Sequence, residues 1–411
     1  MKVAIATLGC KTNQYESELI RESFLNKNNL IVEFRAFADL YVINSCVVTN
    51  KAEAETRKLI SEAIKNNPEA QIVLTGCFAS LHPDFKRNNV TIYTGKKNKI
   101  AELYSNEIIE QEDIDTEKIA TFANHARAIV KIEEGCNNFC SYCIVPFVKG
   151  KEIKSKNQEI IIEEIKQLVQ KGYKEIVLTG TEIGKYGEDK KTNLAELLKQ
   201  LKQINGLERL RISSIHPKHV TAQLIEEIEP PVVPHLHISL QSGDNNILKR
   251  MNRDYTREDF LNIVEKLRKK DKNFSISTDL IVGFPGETED AFSNSIKIIR
   301  EVQFSKVHIF RFSKRPYTPA FFMKETVPEN LKKIRAERIK ETAEIERIEF
   351  KKRFLKQPVK VLVENFANGY YEGFTPYYLK TKFTGNNINT TDLADVFIEK
   401  VDAEYLYGFE I

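Results

Sequence analysis

Cys136, Cys140 and Cys143 stand on one short stretch, Glu134-Gly-Cys-Asn-Asn-Phe-Cys-Ser-Tyr-Cys-Ile-Val-Pro146, at the spacing C-x3-C-x2-C. Thiolates select iron–sulfur clusters, and a cubane [4Fe–4S] cluster ordinarily takes four of them. Three on one loop can grip three irons and leave the fourth open to a substrate or cofactor. Structural zinc does not fit, because it takes four ligands, often as two C-x2-C pairs, and only Cys140 and Cys143 form such a pair. The bacterial ferredoxin run, C-x2-C-x2-C-x3-C-P, does not match either.

The chain has six cysteines, and the other three repeat a pattern. Cys10, Cys46 and Cys77 each follow an apolar run: Lys2–Thr7, Leu40–Asn44 and Gln71–Thr75. Helical patterns lie between them, Glu16–Asn28 and Lys51–Asn66, the second ended by Pro68. Such alternation predicts βαβ units and a parallel sheet. Each cysteine then sits just past the carboxyl end of its strand, the edge at which open α/β sheets bind ligands. Three ordinary buried cysteines are the alternative.

Six further strand patterns follow: Ala128–Glu133, Glu175–Thr179, Arg209–Ser213, Leu236–Leu240, Ser275–Val282 and Lys306–Phe312. The helical patterns Gln158–Lys171, Leu194–Gln203, Val220–Glu229, Arg257–Lys269 and Glu289–Glu301 alternate with them. This is a partial (β/α)6 barrel, whose catalytic side chains belong at the carboxyl ends of the strands. Those ends carry Thr179-Gly-Thr-Glu182, Gln241-Ser-Gly-Asp244 and Ile281-Val-Gly-Phe-Pro-Gly-Glu287, with Arg253 one helix beyond the second of these. Glycine at such a turn lets a ligand approach the backbone, and no Gly-Lys-Ser/Thr follows to make a phosphate loop. Arg253 could equally be a solvated arginine on a charged helix. His235 and His237 alternate on the fourth strand and read as barrel-interior histidines with local partners, not as a metal pair.

The acidic segment Glu107–Glu117 reads as a linker, so a boundary is expected near residue 124. Pro328–Lys356 is a long charged helix with an interrupted stripe, Leu331, Ile334, Ile345, Ile348 and Leu355, that suits a connector. Pro358 stops it. From Val359 the apolar period becomes two, and a small all-β barrel of the kind that serves as a nucleic-acid platform is expected. Its Tyr370, Tyr371, Phe374, Tyr377, Tyr378, Lys380 and Lys382 would offer stacking surfaces and backbone contacts, with Tyr377, Tyr378, Lys380 and Lys382 as the RNA-binding candidates. Residues 357–411 hold more acidic than basic side chains, so help is expected from Lys149, Lys151, Lys154, Arg311, Lys314 and Arg315 on the barrel rim. The domains are therefore 1–123, 124–356 and 357–411.

The length of 411 residues suits two to four domains, and the net charge of +4 permits nucleic-acid binding without demanding it. No apolar run approaches the ~20 residues of a membrane span. The opening Met1–Cys10 lacks an apolar h-region and reads as a strand instead of a signal peptide. The expected compartment is the cytoplasm, with no membrane partner.

The central cysteine stretch resembles the signature of the radical S-adenosylmethionine (SAM) enzymes. That resemblance implies a [4Fe–4S] cluster whose open iron is chelated by SAM. An electron from the cluster then cleaves SAM to methionine and a 5′-deoxyadenosyl radical. It also implies SAM contacts from Tyr142 at the adenine and from Gly180 and Glu182, where this chain has Gly-Thr-Glu in place of a Gly-Gly-Glu-like turn. Gln241 and Arg253 would lie near the carboxylate and ribose, and the turn of Gly283 would back the adenine. The stretches Leu8–Ser17, Ile43–Lys51 and Leu74–Ala79 resemble the methylthiotransferases, a branch with a second [4Fe–4S] cluster. In that branch the second set, here Cys10, Cys46 and Cys77, holds a cluster whose open iron carries the sulfur to be transferred, so all six cysteines count as catalytic. The C-terminal barrel resembles a TRAM domain.

The implied α/β architecture is an N-terminal parallel sheet domain, a central partial barrel and a C-terminal TRAM-like barrel. The implied partners are a tRNA anticodon stem-loop and a flavodoxin- or ferredoxin-like electron donor. Within the family the cysteine stretches look most like the branch acting on N6-threonylcarbamoyladenosine in tRNA. Isopentenyladenosine in tRNA and a ribosomal-protein aspartate are the alternative substrates. From another class, the chain could be an iron–sulfur electron carrier or sensor with an RNA-binding tail.

Overall fold

The computed structural model describes residues 1–104, 114–123 and 125–411. Most of the acidic segment Glu107–Glu117, and residue 124 at the expected boundary, lie outside the described residues. Runs that are apolar on both faces make the first sheet: β1 (Lys2–Thr7), β2 (Leu30–Val32), β3 (Leu40–Ser45), β4 (Gln71–Gly76) and β5 (Val90–Ile92). They pair in the order β2-β1-β3-β4-β5, all parallel. The helices are α1 (Lys11–Leu25), α2 (Asn50–Asn66) and the single-turn α3 (Cys77–Leu81). Thr49 caps α2 by accepting from the Ala52 amide, which fixes where the chain turns after β3. At β4 the turn is sharper. Gly76 has φ 82°, and a Cβ there would lie 2.4 Å from Asn44 Oδ1, so only glycine lets α3 start at once.

The second unit holds β6 (Arg127–Lys131), the two-residue strands β7 (Glu133–Glu134) and β8 (Lys154–Ser155), β9 (Glu175–Thr179), β10 (Arg209–Ile212), β11 (His235–His237), β12 (Ser275–Val282) and β13 (Lys306–Arg311). Its helices are α4 (Val145–Val148), α5 (Gln158–Gln170), α6 (Leu194–Leu201), α7 (Ala222–Glu227), α8 (Asn245–Arg250), α9 (Arg257–Lys270) and α10 (Glu289–Val302). The six expected strands are present, but they form two parallel three-stranded halves, β10-β9-β6 and β11-β12-β13. Single bridges such as Leu210–Val232 and Ile215–Ile238 join the halves. Outward residues of the strands and inward residues of the helices make one apolar core, including Ala128, Val130, Ile176, Leu178, Ile276 and Ile298. No helix among the described residues is long and apolar enough to cross a membrane.

α11 (Glu329–Lys352) follows, with a buried face different from the expected stripe. Lys332, Arg335, Ile339, Ala343 and Phe350 are buried, whereas Ile334 and Ile345 are 52% and 61% exposed. The pattern misleads because long cationic side chains bury their stems. Arg335 reaches Glu287 Oε2 at 2.7 Å, and the Lys332 ammonium lies 5.5 Å from the Phe312 ring.

The last unit is a closed barrel of β14 (Pro358–Ala367), β15 (Tyr370–Phe374), β16 (Lys380–Thr384), β18 (Leu406–Glu410) and β17 (Leu393–Val401), in that order. It docks on the amino ends of β6, β9 and β10, away from the cysteines. Arg209 donates to the carbonyls of Phe374 and Lys360 at 2.9 and 2.8 Å, and Arg127 pairs with Glu364 at 2.7 Å. Tyr378 lies in this contact, its ring 4.6 Å from the Arg211 guanidinium and 5.0 Å from the His235 ring. The Tyr377 hydroxyl donates to Asp271 at 3.1 Å, and its ring packs on Phe354. Both tyrosines are therefore taken up between units and are not a free stacking surface. An alternating pattern marks aromatic positions but not which of them meet another domain.

Candidate active site between two cysteine sets

The first set sits on the loop after β6. β7 and β8 pair antiparallel and close its neck. Gly135 has φ 102°, and a Cβ there would collide with the Glu152 carbonyl at 1.9 Å. Inside the neck the Cys136 amide donates to Gly150 O at 3.0 Å. Ser141 bonds through its amide to Met251 O and through its hydroxyl to Arg250 O. The three cysteines carry free thiols, and burial pushes those of Cys136 and Cys143 up to about 12. A thiolate there needs a cation to offset desolvation. No three His, Cys, Asp or Glu among the described residues close on a single metal ion. A cubane, by contrast, takes each thiolate at a separate iron, so the donor set fits one.

The strand ends bring several candidates to this loop. Arg253 is buried, not solvated: its Nη1 donates to Cys140 Sγ at 3.3 Å and its Nη2 to Ser239 O at 2.7 Å. Tyr142 packs edge-on against Phe284 at 6.4 Å. The Glu182 carboxyl accepts from Asn138 Nδ2 at 3.2 Å, and burial raises it to about 7. Glu133, which sequence reasoning passed over, accepts from the Glu182 amide at 2.9 Å and is raised by burial to about 8. A Cβ on Gly180 would lie 2.5 Å from Glu133 Oε2. Glu133 Oε1 and Thr181 Oγ1 are buried without partners, as expected beside a site that receives a polar ligand. The ammonium and sulfonium of SAM suit such carboxylates, so the residues fit that cofactor. Gln241, with φ 70°, ends the fourth strand region. Gly283 is not brought to this group. Its amide donates to Glu287, and its open side takes the Lys332 stem.

The second set gathers at the carboxyl edge of the first sheet. Cys46 follows β3, Cys10 caps α1 and Cys77 opens α3. Gly9 has φ 102°, and a Cβ on it would lie 3.1 Å from Cys46 Sγ. Asn13, also unflagged by sequence, binds the loops together: its Nδ2 donates to Leu8 O and Ser45 O, and its own carbonyl accepts from Asn44. Burial pushes Cys77 up to about 12, and the Lys149 charge opposes that rise.

Lys149 comes from the first set's loop and pairs with Glu16 of α1 at 2.5 Å. Ile144, directly after Cys143, lies in the same core as Cys77 and Phe78. Thr12 Oγ1 donates to Gly180 O at 3.4 Å. The two cysteine sets thus face a shared mouth. Contrary to expectation, Lys149 is half-buried and held by Glu16, and Arg315 is buried on Glu53 and Asn50, so neither is free for RNA. Lys151, Lys154, Arg311 and Lys314 are exposed as expected.

His235 and His237 share Ser277 Oγ at 3.1 and 3.0 Å, so each has a local partner. Exposed aromatics were missed. Phe147, Tyr317 and Phe322 are 41%, 64% and 74% exposed. Phe147 and Tyr317 lie ring to ring at 6.1 Å, line a groove of about 670 Å³, and have the Lys151 ammonium 5.3 Å from the Phe147 ring. Phe147 and Lys151, four residues apart just after Cys143, were the available signal.

Fold and site together define a radical SAM enzyme. Residues 130–299 match the model of the Radical SAM superfamily, and residues 2–92 match Uncharacterized protein family UPF0004. The fold is shared with the solved radical S-adenosylmethionine methyltransferase TsrM of Kitasatospora setae (TM-score 0.56, 14% identity, 78% of this chain and 76% of that one). The threonylcarbamoyladenosine tRNA methylthiotransferase MtaB of Thermotoga maritima is 42% identical over 94% of this chain and 92% of its own. The tRNA-2-methylthio-N(6)-dimethylallyladenosine synthase of Clostridium tetani is 34% identical over 99% and 96%. This chain belongs to the radical SAM methylthiotransferase family and is a transferase.

Proposed function

We propose that this enzyme adds a methylthio group to carbon 2 of N6-threonylcarbamoyladenosine beside a tRNA anticodon. The observation that carries the reading is the convergence of two cysteine sets, from separate units, on one mouth joined by Lys149 and Glu16. Cys136, Cys140 and Cys143 would hold the cluster that binds SAM, and Cys10, Cys46 and Cys77 a second [4Fe–4S] cluster. These groups supply one-electron cleavage of SAM and the sulfur to be delivered. The protein's own part is positional. Arg253 fixes Cys140, Tyr142 lines the adenine side with Phe284 against it, and Glu133 and Glu182 face the ammonium end. Gly180 keeps space beside them and Gln241 closes the far side. The units divide as 1–123, 124–356 and a TRAM-like 357–411. A cytoplasmic setting and a flavodoxin- or ferredoxin-like reductant complete the reading.

The test is direct. Loaded, reduced enzyme is incubated with SAM and anticodon stem-loops carrying threonylcarbamoyladenosine or isopentenyladenosine, and the digested nucleosides are analysed. Methylthiolation of the first supports the reading. Product only from the second moves the enzyme to the other tRNA branch, and no 5′-deoxyadenosine at all means an electron carrier.

For RNA contact, Phe147, Tyr317 and Phe322 offer stacking beside the mouth. Lys380 and Lys382 lie with Tyr405 on the C-terminal barrel, 5.6 and 4.2 Å from its ring. Phe147→Ala with Tyr317→Ala is expected to weaken stem-loop binding by about 1–3 kcal/mol per lost base stack, with the salt dependence unchanged. Lys380→Ala with Lys382→Ala is expected to flatten the slope of log affinity against log salt. Fluorescence anisotropy across a salt series separates the two, and unaltered binding in both variants refutes these surfaces.

A further inference from the structure

Lys11 follows Cys10 directly but is not itself a thiol of either set. It is the first residue of α1, whose start is held at the barrel mouth by the bond from Thr12 to Gly180. Its ammonium has no hydrogen-bond or ion-pair partner among the described residues. Its charge acts on groups inside the barrel, on Tyr378 at the floor, on His235 and least on His308. The inward side chains there are polar. His237 Nε2 lies 3.2 Å from Asp279 Oδ2, and the His237 and His308 rings are 5.5 Å apart. Asp279 and His308 are register partners on β12 and β13. His235 Nδ1 is buried with no partner. On the floor, three arginines gather around Glu175, with Arg211 Nε at 2.8 Å. Asp279 is already engaged by His237, so the lumen holds more cation than anion.

We propose that Lys11, at the barrel mouth, together with His237, Asp279 and His308 of the lumen, seats the carboxylate-bearing amide appendage of the substrate adenine. This rests on the function proposed above. A threonylcarbamoyl group carries a carboxylate, a hydroxyl and amide N–H groups. Lys11 Nζ donates to the carboxylate, a charge-assisted bond. Asp279 accepts from hydroxyl or amide, and the His237 and His308 imidazoles complete the set. An isopentenyl appendage would leave these groups desolvated and unpaired, and sites built to hydrogen-bond reject such analogues strongly. Lys11 thereby becomes a specificity-determining residue, separate from the group around Arg253.

The test uses cluster-loaded enzyme and fluorescent anticodon stem-loops bearing threonylcarbamoyladenosine as the free acid or as its methyl ester. Wild-type enzyme is expected to bind the acid about tenfold more tightly than the ester. Lys11→Gln should bring that ratio close to one, and Lys11→Arg should keep most of it. A ratio near one in the wild type, or a wild-type ratio in Lys11→Gln, overturns the proposal. If Lys11→Gln fails to load iron, the wild-type ratio and Lys11→Arg decide it alone. Wild-type enzyme that methylthiolates the threonylcarbamoyl stem-loop yet binds acid and ester equally defeats only this proposal. Product solely from isopentenyl RNA defeats the functional reading as well.

Discussion

Replacing Cys10, Cys46 and Cys77 with alanine is expected to abolish methylthiolated nucleoside while SAM cleavage persists. The two sets stand on separate frameworks. The central loop is held by the β7–β8 neck, by Ser141 on Arg250 and Met251, and by Arg253 on Cys140, none of which involves the first sheet. Iron should fall from about eight to about four per chain, as expected if each set carries one four-iron cluster. The opposite variant, with Cys136, Cys140 and Cys143 replaced, should lose the same iron but make neither 5′-deoxyadenosine nor product. Iron analysis, 5′-deoxyadenosine and nucleoside mass spectrometry read the three quantities. Methylthio product from the first variant at near wild-type rate, or unchanged iron in either, would sink the division of labour between the sets.

The second large effect concerns how the units are held together. Lys156 and Glu164 are fully buried and paired at 2.9 Å. Lys156 also donates to the Tyr15 hydroxyl at 2.9 Å and to Glu117 O at 2.5 Å. The Tyr15 hydroxyl donates in turn to Glu164 Oε1 at 2.9 Å, so α1 is anchored to the barrel through this network. Burial holds the Lys156 pKa below its ordinary value despite Glu164. Desolvation therefore offsets much of the attraction, and the pair adds little relative to apolar residues. Removing one partner is another matter. Lys156→Met leaves a buried carboxylate uncompensated and is expected to cost about 3–5 kcal/mol. Lys156→Met with Glu164→Leu should recover much of that loss, since the uncompensated charge goes with it. Urea unfolding of the wild type and the two variants measures this. A single variant within about 1 kcal/mol of wild type would show that the network does not hold α1 in place.

The cysteine sets, the strand–helix alternation and the change of period after Pro358 were legible because each depends on local order in the chain. Iron chemistry dictates thiols at short spacing, a parallel sheet dictates where loops return, and a pleated strand dictates alternation. A six-strand count followed from the same logic, but the split into two halves did not, because hydrogen-bond continuity between β10 and β11 is a matter of three-dimensional spacing. Side-chain partners were legible least. Lys149 and Arg315 looked like solvated rim cations, and Tyr377 and Tyr378 like stacking surfaces, until Glu16, Glu53, Asp271 and Arg211 met them from distant parts of the chain. Lys11 is the converse case: the stretch beginning Leu8-Gly-Cys-Lys resembled one substrate branch with no physical reason in view. The reason proposed above depends on α1 starting at the mouth of a barrel whose lumen holds His237, Asp279 and His308. Local sequence determines what a residue can do, while burial and charge pairing, which require long-range contact, decide what it faces.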